Sequence, residues 1–233
     1  KLRHSATSSL LERRDVIVVA SVSCIYGLGA PEEYYNLHLS LREGDEKPLK
    51  QVMRKLVEIQ YQRNDVDFDR GCFRVKGDTI DIYPAGADNY AYRIEYFGDT
   101  VESIHEINPL TGKAKSALSH VAIFPATHYA INNEKTENAL KQIEQDALKM
   151  KEYFLENERY IEAQRITERT KYDIEMIREV GYCSGIENYS RYFDGRSAGD
   201  PPYTLLDYFP KDAIVLIGES HITLPQIRAM YAG

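Results

Sequence analysis

Apolar and polar positions change their rhythm several times along the chain, and each change marks a different kind of structure. A helical pattern over Ser5 to Arg14 is followed by Asp15-Val16-Ile17-Val18-Val19-Ala20-Ser21, a β-branched apolar run of strand length. A run apolar on both faces predicts a buried parallel strand. It leads into Ser21-Val22-Ser23-Cys24-Ile25-Tyr26-Gly27-Leu28-Gly29, placing hydroxyls and glycines at the strand's carboxyl end, where open α/β sheets bind ligands. An ordinary strand-to-helix loop has the same composition.

From about residue 37 to 130 the period shortens. After a helix predicted around Leu49 to Gln60, short strands alternate with turn signals: Cys72-Phe73-Arg74-Val75-Lys76, then Gly77-Asp78, then Thr79-Ile80-Asp81-Ile82-Tyr83-Pro84. Strict alternation in Tyr90 to Phe97 closes on Gly98-Asp99. These features predict an antiparallel sheet inserted into another domain. Residues two apart on a strand share a face, so Arg74, Lys76, Arg93 and Glu95 fall on the exposed one. Such a face is either solvated or a protein-binding surface, since guanidinium groups beside a carboxylate make directional, charge-assisted bonds.

Residues 133 to 180 carry helical spacing, with Leu140, Ile143, Ala147, Met150, Phe154, Ile161, Ile166, Ile174 and Ile177 on a core-facing stripe. Two helices are predicted, capped by Asn132 or Asn133, broken near Asn157 and stopped by Gly181. Next, Gly185-Ile186-Glu187-Asn188-Tyr189-Ser190-Arg191-Tyr192-Phe193 crowds polar, basic and aromatic groups together, and residues 195 to 202 read as a loop. Arg191 with Tyr189 and Tyr192 suits phosphate contact and base stacking, or equally an interdomain packing segment.

The last pattern is Asp212-Ala213-Ile214-Val215-Leu216-Ile217, a predicted buried strand, followed by Gly218-Glu219-Ser220-His221. An apolar strand ending in Asp-Glu-x-His is the Walker B arrangement of nucleic-acid-dependent ATPases. There the Asp helps hold Mg²⁺ on the nucleotide phosphates, the Glu orients or activates water, and the His reports phosphate state. Here Gly218 stands at the Asp position, leaving Glu219 and His221 as the catalytic candidates.

Composition narrows the alternatives. With 43% hydrophobic residues the chain can build a real core, and no apolar run approaches the roughly 20 residues that cross a bilayer. The start, Lys1 to Ser5, lacks the apolar core of a signal peptide, and cytoplasm is the default location. The three cysteines, Cys24, Cys72 and Cys183, are widely spaced and suggest neither a disulfide framework nor a zinc site. A net charge of −7 argues against coating nucleic acid through bulk electrostatics but allows a locally basic groove. The missing initiator Met and the end at Met230-Tyr231-Ala232-Gly233, inside a helical pattern, suggest that both termini are cuts.

Several of these stretches, in this order, resemble an internal part of the UvrB family, the damage-verifying ATPase subunits of the bacterial excision-repair nuclease. They are Leu2-Arg3-His4-Ser5-Ala6-Thr7, the segment from Ala20 to Gly29, Phe124-Pro125-Ala126-Thr127-His128, the segment from Gly185 to Arg191, and the segment from Glu219 to Gln226. The resemblance runs through essentially the whole chain. It implies an α/β fold: part of a RecA-like P-loop motor of helicase superfamily two, with an inserted, mainly antiparallel α+β domain and a helical domain. Residues 1–36 and 204–233 look like parts of the first motor domain, 37–130 like the UvrA-interaction domain, and 131–203 like the helical domain.

What the resemblance implies for function can be placed residue by residue. Arg63, Arg74, Lys76, Arg93 and Glu95 match the family's UvrA-contact surface, with Lys76 where many relatives have Arg, which gives up bidentate geometry. Arg3, Ser21, Ser23, Tyr26 and Gln226 match its DNA path, and Glu187, Tyr189 and Arg191 lie near that path. UvrA delivers such a protein to damaged DNA and UvrC then incises. ATP and Mg²⁺ are the family's cofactors, but no Gly-x-x-x-x-Gly-Lys-Ser/Thr loop occurs here and Gly218 carries no metal-site carboxylate. None is therefore expected on this stretch alone, whose intact metal ligands number none. The runner-up is a non-hydrolysing UvrA-binding module like the front end of the transcription-repair coupling factor; Glu219, His221 and the segment from Gly185 to Arg191 favour the repair subunit.

Overall fold

Strand alternation in the middle of the chain builds one six-stranded sheet. A computed structural model of the protein describes residues 2–129 and 133–232. Its strands are β1 (Leu39–Arg42), β2 (Gln62–Arg63), β3 (Cys72–Lys76), β4 (Thr79–Tyr83), β5 (Ala91–Phe97), β6 (Thr100–Ile107), β7 (Ala114–Ala117) and β8 (His120–Ile123). β2 to β7 lie side by side in chain order, antiparallel throughout except for β2 against β3. β1 and β8 pair separately, Leu39 opposite Ile123 and Arg42 opposite His120, so the first and last strands of this region form a two-stranded neck.

The helices are α1 (Leu2–Glu12), α2 (Pro31–Asn36), α3 (Leu49–Glu58), α4 (Asn133–Glu156), α5 (Tyr160–Val180), α6 (Ser190–Asp194) and α7 (Ser220–Ala232). α3 lays Val52 and Leu56 against Phe73, Ile80, Ile82, Ile94 and Ile104, which point inward from the sheet. Leu39, Leu41, Val121 and Ile123 of the neck join the same core. Burying a side chain of this size is worth about 1.5–3 kcal/mol, so this cluster is the main apolar contribution holding α3 to the sheet. The outer face of the sheet keeps its charged residues.

The helical layer is a hairpin. α4 and α5 pack along Ala139, Leu140, Ile143, Ile174 and Ile177, and the break falls at residues 157–159, where Asn157 was expected. α5 ends at Gly181, whose φ of 76° is the left-handed cap that an L side chain resists. Of the two expected caps for α4, Asn132 lies outside the described residues and Asn133 opens the helix. A third core joins α1, α2 and the segment after the helical layer through Leu10, Leu28, Tyr34, Phe124, Leu205 and Tyr208.

Two expectations are corrected. Neither Asp15–Ser21 nor Asp212–Ile217 forms a strand. The first run rests Val16 and Val18 on the third core but leaves Ile17 and Val19 at 92% and 95% exposure. The second leaves Ile214 and Leu216 at 85% and 90%. A buried parallel strand needs partners at both edges and helices on both faces, and among the described residues none pairs with either run. No helix among the described residues is long and apolar enough to cross a membrane.

Candidate functional site

The outer face of the sheet is organised in transverse rows by strand register. Arg74 lies opposite Asp81, Asp81 opposite Arg93, and Arg93 opposite His105, so one row crosses β3, β4, β5 and β6. A second row, two residues along, reads Lys76, Thr79, Glu95 and Ser103. Three of the sequence-predicted cations and the predicted carboxylate thus share one surface, spaced by neighbouring strands about 5 Å apart.

Asp81 is the centre of the first row. Arg93 donates through Nε to Oδ1 at 2.7 Å and through Nη2 to Oδ2 at 2.9 Å, while Arg74 donates through Nε to Oδ2 at 3.0 Å. Arg93 Nη1 also donates to the Gly112 carbonyl at 3.3 Å, and the Arg74 guanidinium lies 4.3 Å from the centre of the Phe68 ring. The Asp81 side chain is only 6% exposed, whereas Arg74 and Arg93 keep 31% and 29%. Hydrogen bonding to Asp81 raises the Arg93 guanidinium above its ordinary pKa. The guanidiniums therefore roof over the carboxylate and keep part of their own surface in water.

In the second row Ser103 Oγ donates to Glu95 at 2.7 Å, fixing a carboxylate that would otherwise rotate freely. Arg63 stands on the short edge strand β2, ion-paired with its near neighbour Asp65 at 3.1 Å. Asp81 and Ser103 were not among the expected site residues. The two-residue spacing of Thr79, Asp81 and Tyr83 carried the signal for Asp81, but only the pairing of β4 between β3 and β5 shows that it sits between two arginines.

Residues 39–129, which contain this face, match the model of the UvrB interaction domain, and residues 134–195 match the UvrB third helical domain. The chain is 58% identical over 233 residues to the UvrABC system protein B of Clostridium botulinum strain Loch Maree. The chain belongs to the UvrB family. It is also 58% identical to the same protein of Latilactobacillus sakei and 54% identical to that of Lactococcus lactis. Each comparison covers 100% of the chain but 34–35% of the relative, so the chain spans about a third of the length of these UvrB-family relatives.

The positions that the UvrB resemblance assigned to a DNA path are spread over α1, the turn at Val22–Ile25, α7 and the segment beside the helical hairpin's core. Arg3 is exposed on α1. Ser21 and Ser23 hydrogen-bond through their hydroxyls at 2.9 Å, with Ser21 capping the short helical turn Val22–Ile25, and Tyr26 follows at 49% exposure. Gln226 is exposed on α7 and Glu187 on the turn before α6. Tyr189 and Arg191 are committed internally: Tyr189 donates to the buried Asp173 at 2.9 Å, and Arg191 donates to Asp146 at 3.2 Å while lying 4.4 Å from the centre of the Tyr192 ring.

Beneath α1, the family segments Leu2–Thr7 and Phe124–His128 meet. His4 and His128 stack with ring centres 4.0 Å apart, and Tyr34 stacks on His128 at 5.2 Å. The fully buried Thr7 hydroxyl donates to the Arg3 carbonyl at 3.0 Å and so accepts from His128 Nε2 at 3.1 Å, which fixes the neutral tautomer of that ring. Burial lowers His4 to about 4 and His128 to about 2. Gly29 touches this cluster: a β-carbon there would fall 1.8 Å from the His128 carbonyl oxygen.

Gly218 lies in the open, with nothing within 4 Å of where a side chain would begin. Glu219 follows at φ 48°, a left-handed conformation uncommon for a residue with a side chain. Its carboxylate is 3.6 Å from His221 Nε2, and both are largely exposed. Among the described residues no three His, Cys, Asp or Glu side chains cluster as metal ligands.

Proposed function

We propose that this chain is the UvrA-docking part of a nucleotide excision repair subunit, and that UvrA binds the outer face of the six-stranded sheet. The observation that carries this reading is the pair of transverse rows, which sets Arg74, Arg93, Lys76 and Glu95 on one surface inside the UvrB interaction domain. Three cations and one carboxylate held at fixed spacing fit a partner face of mostly acidic character with one basic group opposite Glu95. UvrC and damaged DNA are the further partners. The DNA path would run along Arg3, Ser21, Ser23, Tyr26 and Gln226, with Glu187, Tyr189 and Arg191 beside it.

Residues 1–36 and 204–233 are read as parts of a RecA-like motor that binds ATP and Mg²⁺ when complete. The apolar runs at Ile17–Val19 and Ile214–Leu216 support this, because their β-branched composition is that of central strands. Gly218 makes that motor a poor hydrolase, so docking outlives catalysis. The third helical domain match and the relatives' names support the repair subunit over the coupling-factor front end. The test is binding of the chain to UvrA with Arg93→Ala and Glu95→Ala. Each variant weakens the complex about tenfold or more, and unchanged affinity in both refutes the docking face.

A further inference from the structure

The two arginines of the docking face are not independent side chains. Asp81, on the strand between them, accepts from both: two bonds from Arg93 and one from Arg74, all between 2.7 and 3.0 Å. A guanidinium has five N–H donors. Arg93 spends three of them, on both Asp81 oxygens and on the Gly112 carbonyl, and the stacking of Arg74 on Phe68 restrains the second ion from its flat side. Both arginine side chains keep about a third of their surface exposed, 31% for Arg74 and 29% for Arg93. With its side chain 6% exposed beneath this roof, Asp81 has almost no surface to offer a partner.

We infer that Asp81 is a positioning residue for UvrA docking: it fixes the Arg74 and Arg93 guanidiniums in a paired, outward-facing geometry before the partner arrives. This rests on the docking face proposed above. Long cationic side chains lose rotamer freedom when a complex forms, and a carboxylate that has already ordered them removes that loss from the binding step. Asp81 also stands between two like charges in one row, on the strand that separates β3 from β5, and so offsets their mutual repulsion.

The sign of one substitution separates positioning from simple charge. Asp81→Asn makes the face one unit more positive. A surface that works by bulk attraction to acidic groups then binds more tightly. Positioning makes it bind about tenfold more weakly, and makes that loss vanish when Asp81→Asn is combined with Arg74→Ala and Arg93→Ala. Affinity for UvrA would be measured for the whole chain carrying each variant, with a melting curve to confirm folding. A second measurement needs no variant: nitrogen relaxation of the arginine Nε–H groups in the free chain, expected to show Arg74 and Arg93 as rigid as the backbone.

Equal or tighter binding by the Asp81→Asn chain, with the arginine variants weakened, overturns the positioning role and leaves the docking face standing. Arg74→Ala and Arg93→Ala without effect remove the docking face and the inference with it. Should Asp81→Asn fail to fold, free-arginine mobility at Arg74 and Arg93 in the unaltered chain decides against the inference, and rigidity decides for it.

Discussion

Arg93 on β5 and Asp81 on β4 are cross-strand partners joined by two hydrogen bonds of 2.7 and 2.9 Å, and the pair is shared with a third residue, Arg74. A buried carboxylate in such an arrangement depends on its partners for stability as well as for shape.

Replacing Arg93 by Met leaves Asp81 with Arg74 alone. Because the carboxylate is nearly buried, the loss is expected at about 1–3 kcal/mol of folding free energy, below the cost of stripping every partner from a buried charge. Arg93→Lys loses less, since an ammonium keeps the charge but not the paired donors. Urea unfolding of the three chains checks the order; equal stability of Met and unaltered chains contradicts it.

Stability falls in mild acid through His4 and His128. Unfolded histidine titrates near 6.5, and in the fold these groups sit at about 4 and about 2. Both folded values are depressed, so above pH 6.5 the contribution is fully present. Below it the unfolded chain takes up protons that the fold refuses, until His4 protonates near pH 4 and His128 near 2. The two together give a slope approaching about 2.5 kcal/mol per pH unit around pH 5. Unfolding at pH 7, 6 and 5 with and without His128→Gln reads this directly, the variant showing roughly half the histidine-dependent slope.

Gly29→Ala forces a β-carbon to within 1.8 Å of the His128 carbonyl oxygen unless the backbone moves. The expected cost is about 1–3 kcal/mol or more, since a backbone atom cannot swing aside as a side-chain tip can. The conservative appearance of the change makes a thermal melt a sharp check: an unaltered midpoint means that the two segments are not packed as described.

Gly218→Asp in the full-length protein is expected to raise DNA-stimulated ATP turnover by roughly a hundredfold or more, the effect of returning a metal-organising carboxylate. Binding to UvrA should be the same for both proteins. Equal turnover with Gly218 and with Asp refutes the idea of a crippled hydrolytic centre.

The sheet and the base of the helical hairpin were legible because each buries its apolar residues within the chain itself, Phe73, Ile80, Ile82 and Ile94 on period two and Leu140, Ile143, Ile174 and Ile177 at helical spacing, whereas Met150 and Ile161, expected on the same stripe, are exposed near the hairpin's turn. The predicted helices shifted only at their ends, Ser5–Arg14 becoming Leu2–Glu12 and Leu49–Gln60 becoming Leu49–Glu58. β7 carries no burial signal, every residue of Ala114–Ala117 being exposed, and only its pairing with β6 reveals it. Asp15–Ser21 and Asp212–Ile217 failed for the opposite reason, a strong apolar signal without neighbours to pair it. At the site, alternation found Arg74, Lys76, Arg93 and Glu95 but not Asp81, because sequence spacing fixes a face while register fixes who stands beside whom.

The pairing of β1 with β8 fixes how the chain enters and leaves the sheet. A domain hung on one flexible linker swivels freely, so its cargo samples every orientation. Here two backbones cross together, laddered from Leu39–Ile123 to Arg42–His120 and rooted in the sheet's core through Leu39, Leu41, Val121 and Ile123. Peeling that ribbon from the sheet would uncover the same side chains that hold α3 to the sheet, so the entry and exit strands and the charged face belong to one cooperative unit.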